Sequence, residues 1–265
     1  MNVAFAPRPA VLTLEPDDSF VTLDGVTKVF GKAKHSVIAL ENVSLEVGKG
    51  EFVCILGASG CGKSTLLSLV AGLDKITSGT IEIADGRPAV MFQEPALLPW
   101  LTVRRNVELP MRLHKVDSEE RNKTVNRLLS MVGLIDFADH RPHQLSGGMR
   151  QRCALARALA QDSELLLMDE PFAALDALTR DQLHDDLNRI WQETGKTIIF
   201  VTHNVREAVR LGDRVVLMTP RPGRVARVWD VEIARPRELD SFEVSGLAHE
   251  ITMQLRAGAN ANGAQ

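Results

Sequence analysis

The run Phe52-Val-Cys-Ile-Leu56 is apolar throughout and leads at once into Gly57-Ala-Ser-Gly-Cys-Gly-Lys-Ser64. An unbroken apolar strand belongs inside a sheet covered on both faces. After the loop, Lys63 to Ala71 carries Leu66, Leu67, Leu69 and Val70 at helical spacing and closes on Gly72. Strand, tight glycine loop and helix in that order open a nucleotide-binding α/β unit, and the loop fits the P-loop pattern. Each residue type has a physical task there. Gly57, Gly60 and Gly62 let the amides around Ala58, Ser59 and Cys61 turn inward as a nest for phosphate oxygens, with the helix N-terminus behind them. Lys63 reaches the β- and γ-phosphates and the Ser64 hydroxyl ligates Mg²⁺; Thr65, next on the helix, is counted with the phosphate-binding candidates. The bland alternative, a structural glycine turn with a solvated lysine, carries little weight beside a buried strand and a following helix.

Around this unit the chain divides by texture. Residues 1–18 are rich in proline and acids and read as a flexible arm. From Phe20 come short β-rich runs: Val21 to Leu23, Val26 to Phe30, Val37 to Leu40 and Val43 to Val47. Two more, Thr80 to Ile83 and Ala89 to Phe92, precede a helical stretch over 95–161. Within it Asp117-Ser-Glu-Glu120 has capping-box form, its helix ends at Gly133, and a second helix starts near Ser146. Strand texture returns at Leu165 to Met168, at Thr197 to Val201 and at Val215 to Met218 and Val225 to Val231, with a helix over 177–194 stopped by Gly195. The expected fold is therefore α/β: a P-loop core over 19–94 and 162–235, a mixed sheet flanked by helices with an antiparallel N-terminal β subdomain. A helical subdomain is inserted at 95–161. Residues 236–265 read as a weakly amphipathic helix with Leu247, Ile251 and Leu255 on one face and a frayed low-complexity end.

Composition removes several classes. The 265 residues carry 31 basic and 34 acidic side chains, a net charge of −3, so no overall basic field awaits a nucleic-acid backbone. Three cysteines, Cys54, Cys61 and Cys153, are too few and too far apart for a disulfide framework or a zinc site and read as small packing residues. No segment approaches the apolar length of a membrane span, and the N-terminus lacks a secretory pattern. The reading is a cytoplasmic protein whose membrane role, if it has one, comes through a partner.

Further chemistry sits at strand ends, where sheets of this type bind ligands. Leu165-Leu-Leu-Met-Asp169-Glu170 puts a carboxylate at the end of a buried strand, costly unless it faces a cation. Asp169 suits the Mg²⁺ of a P-loop and Glu170 is free to deprotonate a water. His203 and Gln93 also follow strands, though a lone histidine or glutamine is more often structural or exposed.

Leu145-Ser-Gly-Gly-Met-Arg-Gln-Arg152 resembles the signature motif of the ATP-binding cassette (ABC) ATPases, and it stands between the P-loop and the Asp169-Glu170 strand as that family requires. Four further matches follow: Gln93 as Q-loop, Asp169-Glu170 as Walker B pair, Ala174-Leu-Asp176 as D-loop and His203 as switch histidine. The resemblance covers about residues 20–231. It implies ATP and Mg²⁺ as cofactors and two cassettes paired head to tail. Ser146, Gly147, Gly148 and Gln151 of each would then cap the γ-phosphate held by the other's P-loop. It further implies Glu170 as general base, His203 and Gln93 as catalytic partners, Mg²⁺ held by Ser64, Asp169 and Gln93, and Asp176 as the D-loop acid. Phe30 takes the place of the family's usual aromatic for stacking on adenine, or else is a strand-end core residue. Gln93-Glu-Pro-Ala-Leu-Leu-Pro-Trp100 and Met218-Thr-Pro-Arg-Pro-Gly-Arg224 look like the nitrate/sulfonate/taurine group of importers.

The implied assembly holds two transmembrane permease subunits, a second ATPase subunit (identical or paralogous) and an external solute-binding protein, with this chain on the cytoplasmic face of the bacterial inner membrane. Leu97, Leu98 and Trp100 would face the permease, or pack inside the helical insertion. The few residues after Val231 leave no room for the β-barrel regulatory domain of sugar importers. The alternative, a soluble ABC-type ATPase acting on nucleic acid in repair or translation, is opposed by the single cassette and the short Gln93–Ser146 interval. A P-loop metabolite kinase is opposed by the signature and by Glu170, which favour water as nucleophile.

Overall fold

Residues 19–31 and 35–262 are described by the structure, a computed structural model; side chains are described as far as Ala257. The expected arm over 1–18 and the last residues of the expected frayed end lie outside them. Two sheets carry the fold. Strands β1 (Ser19–Phe30), β2 (Val37–Gly48) and β4 (Ser78–Ile83) form an antiparallel sheet in the order β2-β1-β4. The second has six strands in the order β5-β6-β7-β3-β8-β9: β5 (Ala89–Met91), β6 (Leu165–Asp169), β7 (Thr197–Thr202), β3 (Phe52–Leu56), β8 (Arg214–Met218) and β9 (Val225–Asp230). All neighbours are parallel except β8 and β9. The mixed sheet flanked by helices and the antiparallel N-terminal sheet are as expected.

Strand β3 shows why the sheet is buried on both faces. Its five residues are all buried, and they alternate between two cores. Phe52, Cys54 and Leu56 point to the side of the inserted helices, whereas Val53 and Ile55 point between the two sheets. Burial of each such side chain stabilises by about 1.5–3 kcal/mol. The inter-sheet core also takes Leu66, Leu67, Leu69 and Val70 of α1 (Lys63–Val70), so the helix behind the P-loop is fixed by its apolar face.

The inserted region contains α2 (Val103–Leu113), α3 (Ser118–Met131) and α4 (Gly147–Leu159). Each begins at a side-chain cap: Thr102 accepts from the Arg105 amide, Asp117 from Glu119 and Ser146 from Met149. Helix α5 spans Ala177–Thr194 and ends on Gly195 at φ 63°, the left-handed stop that glycine supplies. Helix α7 (Phe242–Asn262) runs through most of the segment expected to fray. Among the described residues no helix is long and apolar enough to cross a membrane.

Two features differ from the expectation. The four short N-terminal β runs are two long strands, continuous through register shifts at Leu23–Val26 and Asp24–Thr27. Gly25 at φ 58° and Asn42 at φ 50° absorb the irregularity, and the Gly25 amide is satisfied by the Ser44 hydroxyl at 3.0 Å. Helix α6 (Val205–Leu211) was not expected at all; it has only two turns, nucleated by Asn204, whose side chain accepts from the amides of Arg206 and Glu207.

Candidate functional site

The strand order delivers the loop after β3, Gln93 after β5, Asp169-Glu170 at the end of β6 and His203 after β7 to one edge of the sheet, where the carboxyl ends of the parallel strands open. A cleft of about 600 Å³ lies there. Phe30, Ser59, Gly60, Gly62, Lys63, Ser64, Thr65, Gln93, Asp169 and Glu170 line it, all residues singled out from the sequence, together with Val37, Ala39 and Arg221, which were not.

The P-loop needs glycine at Gly60 for its left-handed backbone and at Gly62 for want of space as well. Gly60 has φ 77° and Gly62 φ 104°, and a Cβ on Gly62 would stand 2.7 Å from Leu40 Cδ2 and 3.0 Å from the Ala39 carbonyl. The remaining loop residues act from beneath. Lys63 is almost wholly buried, and its Nζ donates to the carbonyls of Gly57 at 2.9 Å and Ala58 at 3.2 Å. The Cys61 side chain is tucked under Gly57, whose added Cβ would meet Sγ at 2.7 Å, and burial pushes its thiol above the ordinary value. All three cysteines are buried and free, in keeping with packing roles.

Charge in the cleft is ordered. Ser64 Oγ donates to Asp169 Oδ1 at 3.0 Å, and burial, countered by that bond, leaves the Asp169 carboxyl above its usual range. Among the described residues no group of three or more His, Cys, Asp or Glu side chains could hold a metal by themselves. A hydroxyl and one carboxylate beside a phosphate cradle nonetheless fit Mg²⁺, which prefers hard oxygen ligands and takes several from phosphate and water. Glu170 is held from two sides: Oε2 is 2.8 Å from His203 Nδ1 and Oε1 is 3.7 Å from Lys63 Nζ. Its backbone has φ 44°, the left-handed region that a residue with a side chain rarely adopts. The amide is pinned to the Val201 carbonyl at 2.9 Å, which holds the strained backbone in place.

Behind His203 lies a buried network invisible in the sequence. Glu207 accepts from the Thr202 hydroxyl through one oxygen, and its other oxygen is 2.6 Å from His184 Nε2 on α5. Thr202 Oγ1 in turn accepts from the Asn204 amide at 3.0 Å, which fixes the turn carrying His203. Replacing Glu207 by alanine leaves two buried polar groups unmatched, and the expected cost is about 2–4 kcal/mol. Urea unfolding measures it; a loss below about 0.5 kcal/mol, the range of an ordinary surface substitution, would show that the network holds nothing.

The signature residues are elsewhere. Ser146 is exposed and caps α4, while Gly147 is half-buried and does not line the cleft. Gly148 is buried, where a Cβ would collide with Thr179 Cγ2 at 2.4 Å. Asp176 caps α5 by accepting from the Thr179 amide at 3.0 Å. Gln151 is 2 % exposed and donates through Nε2 to the Gln93 carbonyl at 2.9 Å, so within this chain it holds the segment after β5. That segment is fastened further by Arg157, which donates to the carbonyls of Pro95 and Ala96, each at 2.7 Å. Buried Asn106 joins in, giving three bonds to the Leu98, Leu101 and Thr102 carbonyls and accepting one from the Leu98 amide. Leu97 packs on the core of the helical region, whereas Trp100 stands 66 % exposed and Phe92 46 %.

Residues 40–173 match the ABC transporter family. Across 218 residues the chain is 47% identical to a taurine import ATP-binding protein of Burkholderia thailandensis, covering 79% of this chain and 84% of that protein. Identity to a nitrate import ATP-binding protein of Synechocystis is 44% over 220 residues, covering 80% and 83%. A solved dimeric ATP-binding cassette in a post-hydrolysis state, bound to ADP and Pi, superposes with a TM-score of 0.71 at 37% identity, covering 81% of this chain and 100% of that one. With that extent of identity and the nucleotide cleft in place, the chain belongs to the ABC transporter family, as an ATPase subunit that couples ATP hydrolysis to transport.

Proposed function

We propose that this chain powers an importer of a small anion such as nitrate, taurine or another sulfonate, by hydrolysing ATP clamped between two cassettes. The observation that carries the reading is Glu170, aimed by a left-handed backbone and held by His203 and Lys63 at the floor of the phosphate cleft. The P-loop amides and Lys63 bind and orient the β- and γ-phosphates. Ser64 and Asp169, with Gln93 at the rim, would hold Mg²⁺, which would supply positive charge to offset that of the phosphates. Glu170 takes a proton from the attacking water, and His203 keeps the carboxylate and the γ-phosphate in register. Phe30 offers adenine one face of its ring; Lys28 Nζ already sits over the ring, 4.7 Å from its centroid. The sequence resemblance to anion importers, rather than any feature of the cleft, supports the solute class; the same relatives count against a nucleic-acid ATPase.

The other cassette, identical or paralogous, supplies Ser146 and Gly147 to the γ-phosphate. Two permease subunits sit against the segment after β5, with an external solute-binding protein beyond them, and place this chain on the cytoplasmic face of the membrane. The Gln151, Arg157 and Asn106 bonds make that segment one body with α2 and α4, so a push on Trp100 reaches the signature turn without a flexible link. Trp100→Ala tests the docking. Loss of a central exposed tryptophan at an interface costs about 2 kcal/mol or more, so a co-purified polytopic partner should fall by at least about tenfold. Nucleotide affinity of the isolated chain stays within about twofold. Undiminished capture of the membrane partner would remove Trp100 from the interface, and failure of a strain lacking this chain to lose uptake of any anion would remove the importer reading.

A further inference from the structure

We propose that Arg221 is a nucleotide-binding residue, its guanidinium held at the ribose and α-phosphate end of the cleft; this rests on the reading of the cleft as an ATP site. Arg221 lies in the turn between β8 and β9. That turn is closed on itself by Thr219, whose amide donates to the Arg224 carbonyl at 2.9 Å and whose hydroxyl donates to the Pro222 carbonyl at 2.9 Å. It is also tied to β2, the neighbour of the strand that ends in Phe30. The Gly223 amide donates to the Ala39 carbonyl and the Glu41 amide to the Gly223 carbonyl, both at 2.9 Å. Gly223 presses on the P-loop as well, since a Cβ there would stand 2.1 Å from the Cys61 carbonyl oxygen. The turn is therefore wedged between the wall that faces the base and the loop that faces the phosphates, and the position between those two belongs to ribose and α-phosphate.

The two arginines of this turn are used differently. Arg224 is engaged outside the cleft, its Nε 3.1 Å from Glu41 Oε2 and its Nη2 closer still. Arg221 has no carboxylate partner among the described residues and lines the cleft. The charged side chains lining it are Lys63, Arg221, Asp169 and Glu170. Both carboxylates are engaged at the far end, Asp169 by Ser64 and Glu170 by Lys63 and His203. That leaves Arg221 as the lining cation not committed to the γ-phosphate end, and a guanidinium donates to phosphate oxygens in a fork.

Equilibrium titration with a fluorescent ATP analogue, and displacement by ATP and ADP, tests this on the full chain with Arg221→Ala and Arg221→Glu. Alanine should weaken ATP and ADP equally, by about threefold to tenfold, because the α-phosphate is common to both. Glutamate should weaken them further. Both losses should shrink between about 50 mM and 500 mM salt, as screening requires of a solvent-facing charge. In turnover the loss falls on KM rather than on kcat. Unchanged affinity in both variants, or a loss for ATP without one for ADP, would overturn the assignment. Lys63→Ala measured alongside separates the two readings. If it loses nucleotide while the Arg221 variants do not, only Arg221 is reassigned; if none of the three loses nucleotide, the cleft itself is not the ATP site.

Discussion

Glu170→Gln is expected to lower steady-state phosphate release by about 10²–10⁴-fold, the contribution of a positioned general base, with ATP affinity changed by no more than about threefold. The reasoning starts from what the carboxylate touches. Its two oxygens face His203 Nδ1 and Lys63 Nζ, and neither contact is to a P-loop amide. Glutamine keeps the length and can still bond to His203, so the geometry survives while the proton acceptor is lost. Binding should survive with it, because removing a carboxylate from a cleft that takes a polyanion lowers repulsion. The left-handed backbone at Glu170 is a second reason to choose glutamine over alanine, since the amide bond to Val201 then stays in place. Phosphate release and equilibrium binding measured on the same preparation check both halves. Wild-type turnover in this variant would assign the base elsewhere, to His203 or to the phosphate itself.

The P-loop side of the candidate site was legible because it is local. A P-loop is one contiguous strand, turn and helix start, and its meaning rests on residues that are neighbours in the chain. Asp169-Glu170 was legible for the same reason, as two acids ending an apolar strand. What the sequence did not show is what depends on distant pairs. Glu207 looks like any glutamate on a short helix, yet it is 6 % exposed because His184 and Thr202 meet it from α5 and β7. Gln151 was read with the signature as a ligand of the partner's nucleotide; its observed partner is the carbonyl of Gln93, brought close by the packing of α4 against β5. The β-rich runs of the sequence break at Asp24-Gly25 and Glu41-Asn42, where polar residues and a glycine interrupt the apolar pattern. Pairing with β2 and β4 carries β1 through its irregularity, and pairing with β1 carries β2 through its own, a tertiary decision that overrides local preference. Arg221 was in view as part of a family-like stretch, but only the wedged turn shows where it stands.

Ser146→Arg is expected to abolish ATP-driven pairing of cassettes and lower turnover by at least about 10²-fold, while leaving ATP bound to the isolated chain within about twofold. The second half follows from the fold: Ser146 does not line the cleft of its own chain. Its side chain accepts from the Met149 amide at 3.2 Å, so the variant also loses a helix cap, worth about 1 kcal/mol, too little to unfold a domain of this size. The first half follows from shape. Ser146 and Gly147 present a hydroxyl and amides at the positive end of α4 with almost no side-chain bulk, the form a helix N-terminus needs to approach a phosphate closely. An arginine fills that approach. Combining the two substitutions makes the test sharp: Glu170→Gln with ATP should accumulate a dimer in size-exclusion chromatography, and adding Ser146→Arg should return it to monomer. Retention of the dimer in the double variant, or unimpaired turnover in Ser146→Arg alone, would mean that the γ-phosphate is completed from within one chain. The clamp between two cassettes would then have to be abandoned.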